Sequence, residues 1–306
     1  MKHILILLIT LLLIASCCRP TTGELCTDLQ RAEALMYPHP DSALHILQTM
    51  DVPGDELNRA TWALFTTQAK YKLFQTQNDS LINIALPYFM QQEVAQRKAL
   101  ALYCRAALYN EEKKVKEAQA FYLQAAKEVE KTEDYQLGHL IYAGLGNIYM
   151  YRSLLEYALD SYQKSYGYAI KGDNYKQKIA SMMYLARTYR KIGSESETIV
   201  YYKKAMDLAN EKQDFYKPIG IATELASIYD SKKDYDSALY YTKLAFNLHL
   251  DRKIPPSEQL YLIMGKVYRG IGKQDSAHIN FNKALETSNI YTKRSTYLEL
   301  CELLYE

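Results

Sequence analysis

One recurring pattern constrains this chain more than any other feature. An apolar residue is followed by a small one, then by two variable positions and a Tyr. It reads Leu145-Gly146-Asn147-Ile148-Tyr149, Leu185-Ala186-Arg187-Thr188-Tyr189, Leu225-Ala226-Ser227-Ile228-Tyr229 and Met264-Gly265-Lys266-Val267-Tyr268. A weaker copy stands before these at Arg105-Ala106-Ala107-Leu108-Tyr109, and another follows at Cys301-Glu302-Leu303-Leu304-Tyr305. The tyrosines are spaced 40, 40, 40, 39 and 37 residues apart.

Between these copies lies a second regularity. Nine residues after each of the first five tyrosines comes Ala118, Ala158, Thr198, Ala238 or Ala277. Four residues on stand Tyr122, Tyr162, Tyr202, Thr242 and Phe281, and three further on Ala125, Ser165, Ala205, Ala245 and Ala284. These steps place residues on one helical face, so each unit is two helices and a turn. Gly193-Ser194 and Gly272-Lys273 supply turn residues between the helices.

Taken together, the patterns resemble the tetratricopeptide repeat. In that family small residues let two helices approach and aromatics fill the groove left between them. The usual repeat is shorter, and the extra residues here fall at Asp134-Tyr135, Asn174-Tyr175 and Asp214-Phe215-Tyr216. These read as lengthened helix ends with a packed aromatic corner. The resemblance implies an all-α, right-handed superhelical solenoid of helix-turn-helix repeats with a period of ~40 residues. It covers residues 98–306, which end in a helix without its pair. Residues 24–97 read as degenerate N-terminal helical repeats. Helix starts there are expected at Asp41-Ser42-Ala43-Leu44 and Asp79-Ser80-Leu81-Ile82, with Asp as the cap.

Residues 1–16 form a different unit. Lys2 and His3 precede an apolar run from Ile4 to Ile14, broken by Thr10. The run is too short to span a bilayer comfortably, since spanning takes roughly 20 apolar residues. Its length is that of a signal peptide's apolar region. Ile14-Ala15-Ser16-Cys17 then resembles the lipobox of bacterial lipoproteins. That resemblance implies lipidation of Cys17, cleavage just before it, and a short tether over residues 17–23. It implies a Gram-negative cell envelope as the location. Cys18-Arg19-Pro20-Thr21-Thr22-Gly23 carries no acidic residue after the lipidated Cys. That points to the outer membrane, facing the periplasm, rather than to the cell surface.

Composition narrows the functional classes. The net charge is +2, which argues against a dedicated nucleic-acid binder. The six His are scattered and read as surface or cap residues. No Gly-rich phosphate loop, HExxH or Gly-x-Ser-x-Gly is present. No metal-ligand spacing is found, so neither a metal, a cofactor nor an enzyme is expected. Cys18 and Cys26 could pair in an oxidising compartment. Cys104 and Cys301 fall in helical patterns and read as small buried residues.

The remaining candidate is the inner face of the solenoid, to which each repeat contributes the surface of its first helix. In the resembled family five positions of that helix line the groove. Carried onto this sequence, they give Tyr103 and Met183, then Ala107, Asn147, Arg187, Ser227 and Lys266. The outer two positions give Asn110, Met150, Arg190, Asp230 and Arg269, with Tyr151 and Lys191. Arg187, Arg190 and Lys191 cluster, and Lys266 and Arg269 echo them. Guanidinium groups pair well with carboxylates, so the expected partner is a protein or an acidic peptide. Asn147 and Arg187 match a family clamp for peptide C-termini, but Ala143 and Met183 stand where its lysines would be. The Tyr stripe is assigned to the repeat core. The leading expectation is a membrane-tethered scaffold. The alternatives are a sensory or regulatory input module without its effector domain and a glycan-binding lipoprotein.

Overall fold

The computed structural model describes residues 23–305, and all elements among them are helices. They are α1 (Thr27–Leu35), α2 (Pro40–Thr49), α3 (Glu56–Lys72), α4 (Ile82–Met90), α5 (Ala95–Glu111), α6 (Val115–Val129) and α7 (Tyr135–Tyr151). There follow α8 (Leu155–Lys171), α9 (Tyr175–Ile192), α10 (Glu195–Glu211), α11 (Lys217–Ser231), α12 (Tyr235–Asp251), α13 (Glu258–Gly270), α14 (Gln274–Ala284) and α15 (Ile290–Tyr305). Cys17 and the signal segment lie outside the described residues. Two compact units are present, one ending at Leu145 and the other starting at Gly146, with the boundary inside α7.

Within each unit the repeat pattern maps onto helix pairs. Ala118, Ala158, Thr198, Ala238 and Ala277 are buried, as are the bulky and small residues that follow them in the same helices. The small residue of the first helix is there for contact. In α7, a Cβ on Gly146 would clash with the ring of Tyr162 on α8. In α13, one on Gly265 would lie 2.5 Å from a ring carbon of Phe281 on α14. Two of the motif tyrosines, both half-buried, stack on the second helix. Tyr189 lies on Tyr201 and Tyr229 on Tyr241, each pair with centroids 5.5 Å apart and near-parallel rings. Such pairs contribute roughly 0.5–1.5 kcal/mol beyond area burial. Tyr240 faces solvent beside the half-buried Tyr241, whereas Tyr201 and Tyr202 both pack on the core, Tyr202 fully buried.

Turn geometry is more uniform than the turn sequences. The carbonyls of Tyr109, Tyr149, Tyr189, Tyr229 and Tyr268 each accept from the amide five residues on, at 2.8–3.0 Å. Each such bond needs a left-handed residue just before the donor. Gly193 and Gly272 meet that need as expected, but Lys113, Ser153 and Lys233 adopt the same conformation without being Gly. The turns between repeats repeat the device at Asp173, Gln213 and Lys253.

The helix entries correct three expectations. Asp134 and Asn174 cap α7 and α9 by accepting the amides of Leu137 and Gln177, while Asp214 accepts the amides of Tyr216 and Lys217 in the turn ahead of α11, whose cap position is Tyr216. The aromatic corner is not packed throughout. Phe215 and Tyr216 are exposed and meet mainly each other, edge to face at 4.8 Å. Asp41 does not cap α2, because Pro40 already opens that helix and places Asp41 in its first turn. Asp79 lies ahead of α4, paired with Arg105 at 3.5 Å, and the cap position at Leu81 makes no side-chain bond. The cap found in this region is Asp55, whose carboxylate accepts the Asn58 amide at 2.9 Å. Cys26, Cys104 and Cys301 are free thiols, and Cys104 is buried. His139 and His249 are also buried, against the expectation of surface positions, because both fall on inward faces of their helices.

Candidate functional site

The expected groove residues of the C-terminal unit lie on α7, α9, α11 and α13, and consecutive first helices link them by ion pairs. Arg187 and Arg190 of α9 reach Glu224 of α11, one to each carboxylate oxygen, at 3.5 and 3.2 Å. Arg190 also donates to the Ser227 hydroxyl at 3.1 Å. Lys266 of α13 reaches back to Asp230 at 3.0 Å and forward to Glu299 of α15 at 3.8 Å. Arg269 pairs with Glu299 at 3.0 Å and also with Glu302.

These pairs revise the charge of the surface. At α13 two cations meet three carboxylates, so Lys266 and Arg269 do not form a second basic cluster. At α9 two guanidiniums share one carboxylate, and Lys191 is exposed with no acidic partner among the described residues. Around Arg187, Arg190 and Lys191 positive charge therefore stays in excess. Tyr202 lies buried under this group. Burial first, and then the Glu224 charge, push its phenol up to about 12. Burial likewise raises Glu299 above the usual carboxylate range, against the opposing pull of Lys266 and Arg269.

Three other expected residues divide. Asn147 is exposed, and its side-chain oxygen accepts the Tyr162 hydroxyl at 2.8 Å, which fixes its orientation. Tyr151 stands 78% exposed at the end of α7. Tyr103 is a correction. It lies in the N-terminal unit, buried between Tyr71 and Tyr122 at centroid distances of 6.1 Å. Burial, reinforced by those neighbours, pushes its phenol far up. It serves packing and presents no groove surface.

The ion pairs also set the register of α15. Arg187–Glu224, Arg190–Ser227 and Asp230–Lys266 each join a residue to one that stands three places before its equivalent in the next first helix. Extended to Glu299 and Glu302, that rule places Cys301 where α13 has Gly265, and Leu304 where it has Tyr268. The copy Cys301-Glu302-Leu303-Leu304-Tyr305 is thus one residue out of step. Burial agrees, since Thr296, Glu299, Leu300 and Leu303 turn inward, while Tyr297, Leu298, Cys301 and Leu304 face outward. No helix among the described residues covers that outward side. That is why Cys301 is exposed rather than buried.

No group of three or more His, Cys, Asp or Glu suited to a metal occurs among the described residues. No helix among them is long and apolar enough to cross a membrane.

No protein-family model and no curated protein sequence matches this chain. Solved structures do. The apo form of RapI superposes with a TM-score of 0.76 at 12% identity, covering 91% of this chain and 81% of that one. A Rap protein complexed with competence and sporulation factor gives 0.61 at 14% identity, over 90% and 79% of the two chains. The protein NprR in complex with its cognate peptide NprX gives 0.60 at 15% identity, over 89% and 81%. The fold is a tetratricopeptide-type helical repeat. At these identities the tetratricopeptide likeness is one of fold.

Proposed function

We propose that this chain is a protein- or peptide-binding module that engages its partner along the exposed first-helix surface of the C-terminal unit. The observation that carries this is the uncompensated positive patch of Arg187, Arg190 and Lys191. Asn147 and Tyr151 sit on α7, the first helix of the preceding repeat. A carboxylate-bearing segment fits it, because guanidinium groups bind carboxylates through charge-assisted hydrogen bonds. Two structures of the same fold, a Rap protein and NprR, hold a competence and sporulation factor and a cognate peptide. That supports peptide recognition here, and with it a regulatory reading. A lipid on Cys17 would hold the module in the cell envelope, at the outer membrane and facing the periplasm. The support for that is the Ile14-Ala15-Ser16-Cys17 motif.

The test is crosslinked capture from whole membranes with the native chain, with Arg187→Glu/Arg190→Glu, and with Tyr151→Ala/Lys191→Glu. The second variant leaves the Glu224 bridge intact. The expected result is one partner retained by the native chain and lost with both variants. Equal capture by all three places binding on another face and overturns the proposal. Cys17→Ala is expected to leave the membrane fraction, and unchanged fractionation would overturn the anchor.

A further inference from the structure

We infer that the N-terminal unit carries a separate ligand site, a cleft of about 720 Å³ between α2, α3 and residues 73–81. It is independent of the groove just described. The ligand class assigned is a short peptide with an apolar last residue and a free carboxylate.

Two kinds of side chain line the cleft. Met50, Val52, Leu81 and the half-buried Trp62 supply apolar surface. The Trp62 indole N–H donates to the Leu47 carbonyl at 2.8 Å, so the ring is held in place and its polar atom is already used. What it offers a ligand is apolar surface, of a kind that usually marks an interaction site when a cleft exposes it.

The rest of the lining is rich in donors. Asn78 spends its oxygen on the Ser80 amide and hydroxyl, at 3.1 and 2.6 Å, and its NH2 remains. Gln48 and Thr76 also line the cleft and make no hydrogen bond in the described chain, while Lys70 has no carboxylate partner there. No Asp or Glu lines it. Carbonyl and carboxylate oxygens match these donors.

One acceptor is left over, and it points to an amide. Gln77 donates to the Thr67 carbonyl at 3.1 Å, but its own oxygen is buried without a partner. A buried acceptor without a donor is destabilising. A peptide N–H supplies that donor, its carbonyl takes Asn78 or Gln48, its chain end takes Lys70, and its side chain covers Trp62.

Trp62 is the only Trp in the chain, so its emission reports on this cleft without a label. The probes are N-acetyl-Gly-Gly-X tripeptides with X as Leu, Met, Phe or Val, their C-terminal amides, and octanoate, each titrated to about 10 mM. The expected result is a saturable emission change with at least one free acid. That response weakens roughly tenfold with its amide and in Lys70→Met, the loss of one charge-assisted contact. Asn78→Ala is expected to weaken it as well, with the thermal melt of both variants checking the fold. No saturable change with any tripeptide overturns the site. Equal response to acid and amide overturns the carboxylate assignment. Octanoate binding as tightly as the best tripeptide overturns the peptide class.

Discussion

Gly265 lies against the face of Phe281 so closely that a Cβ at Gly265 would stand 2.5 Å from a ring carbon. Phe281 is fully buried and cannot retreat into solvent. Gly265→Leu is therefore expected to destabilise the fold by about 1–3 kcal/mol through overpacking. Gly220, in α11, has nothing within 4 Å of an added Cβ. Gly220→Ala is expected to stabilise by about 0.5–1 kcal/mol, since Ala removes the helical cost of Gly. Urea melts of the two variants should move in opposite directions. Equal shifts would contradict the packing described here.

Arg190 and Glu224 join α9 to α11 at 3.2 Å, with both side chains partly exposed. Exposed pairs are worth little, so a double-mutant cycle on Arg190→Ala and Glu224→Ala should give a coupling of about 0.5–1 kcal/mol. The coupling should shrink in 1 M salt, where screening acts over roughly 3 Å. A coupling that salt leaves unchanged would show that the two residues interact through packing instead.

The buried tyrosines predict alkaline unfolding. Tyr202 has its phenol raised to about 12 in the fold, from 10.0 when exposed. A raised folded value means that the stability is complete below the unfolded value and is lost as pH rises through the folded one. Such a shift is worth on the order of 2–3 kcal/mol for this one group. Tyr37, Tyr103, Tyr122 and Tyr162 shift in the same direction, each mainly through burial. Absorbance at 295 nm should show exposed phenols ionising first near pH 10, then a cooperative step that coincides with loss of helical signal. A single smooth titration with the fold intact would show these rings to be accessible.

The repeat was legible in the sequence because its signal is local. Ala158, Tyr162 and Ser165 are neighbours on one helical face, and their spacing records that face directly. The groove was legible only in part. Arg187 and Arg190 could be placed together on one first-helix surface, but nothing in their own repeat marks Glu224. It occupies the position held by Gly144, Tyr184 and Ile263 elsewhere, so no periodicity announces it. Tyr103 was misplaced for the converse reason. The family position carries a side chain into the groove in regular repeats, whereas here Tyr71 and Tyr122 enclose it. The register of α15 slipped because Tyr305 completes a five-residue pattern by itself. Glu302 then takes the small-residue place, and that conflict was visible in the sequence.

The cleft beside Trp62 had no signal of its own in the sequence. Its residues come from two helices and a connecting segment, and amides such as Gln48 and Asn78 are ordinary surface residues until a fold sets them facing one another.

The left-handed turn residues carry a consequence for engineering. Lys113, Ser153, Asp173, Gln213, Lys233 and Lys253 all hold a backbone shape that costs a side-chain-bearing residue roughly 1 kcal/mol and costs Gly almost nothing. Their closing bonds run from backbone to backbone, and among the six only Asp173 also uses its side chain, in an ion pair with Lys178. Six corners of this kind amount to a reserve of thermal tolerance that can be reached without touching a single helix face or the surface that meets a partner.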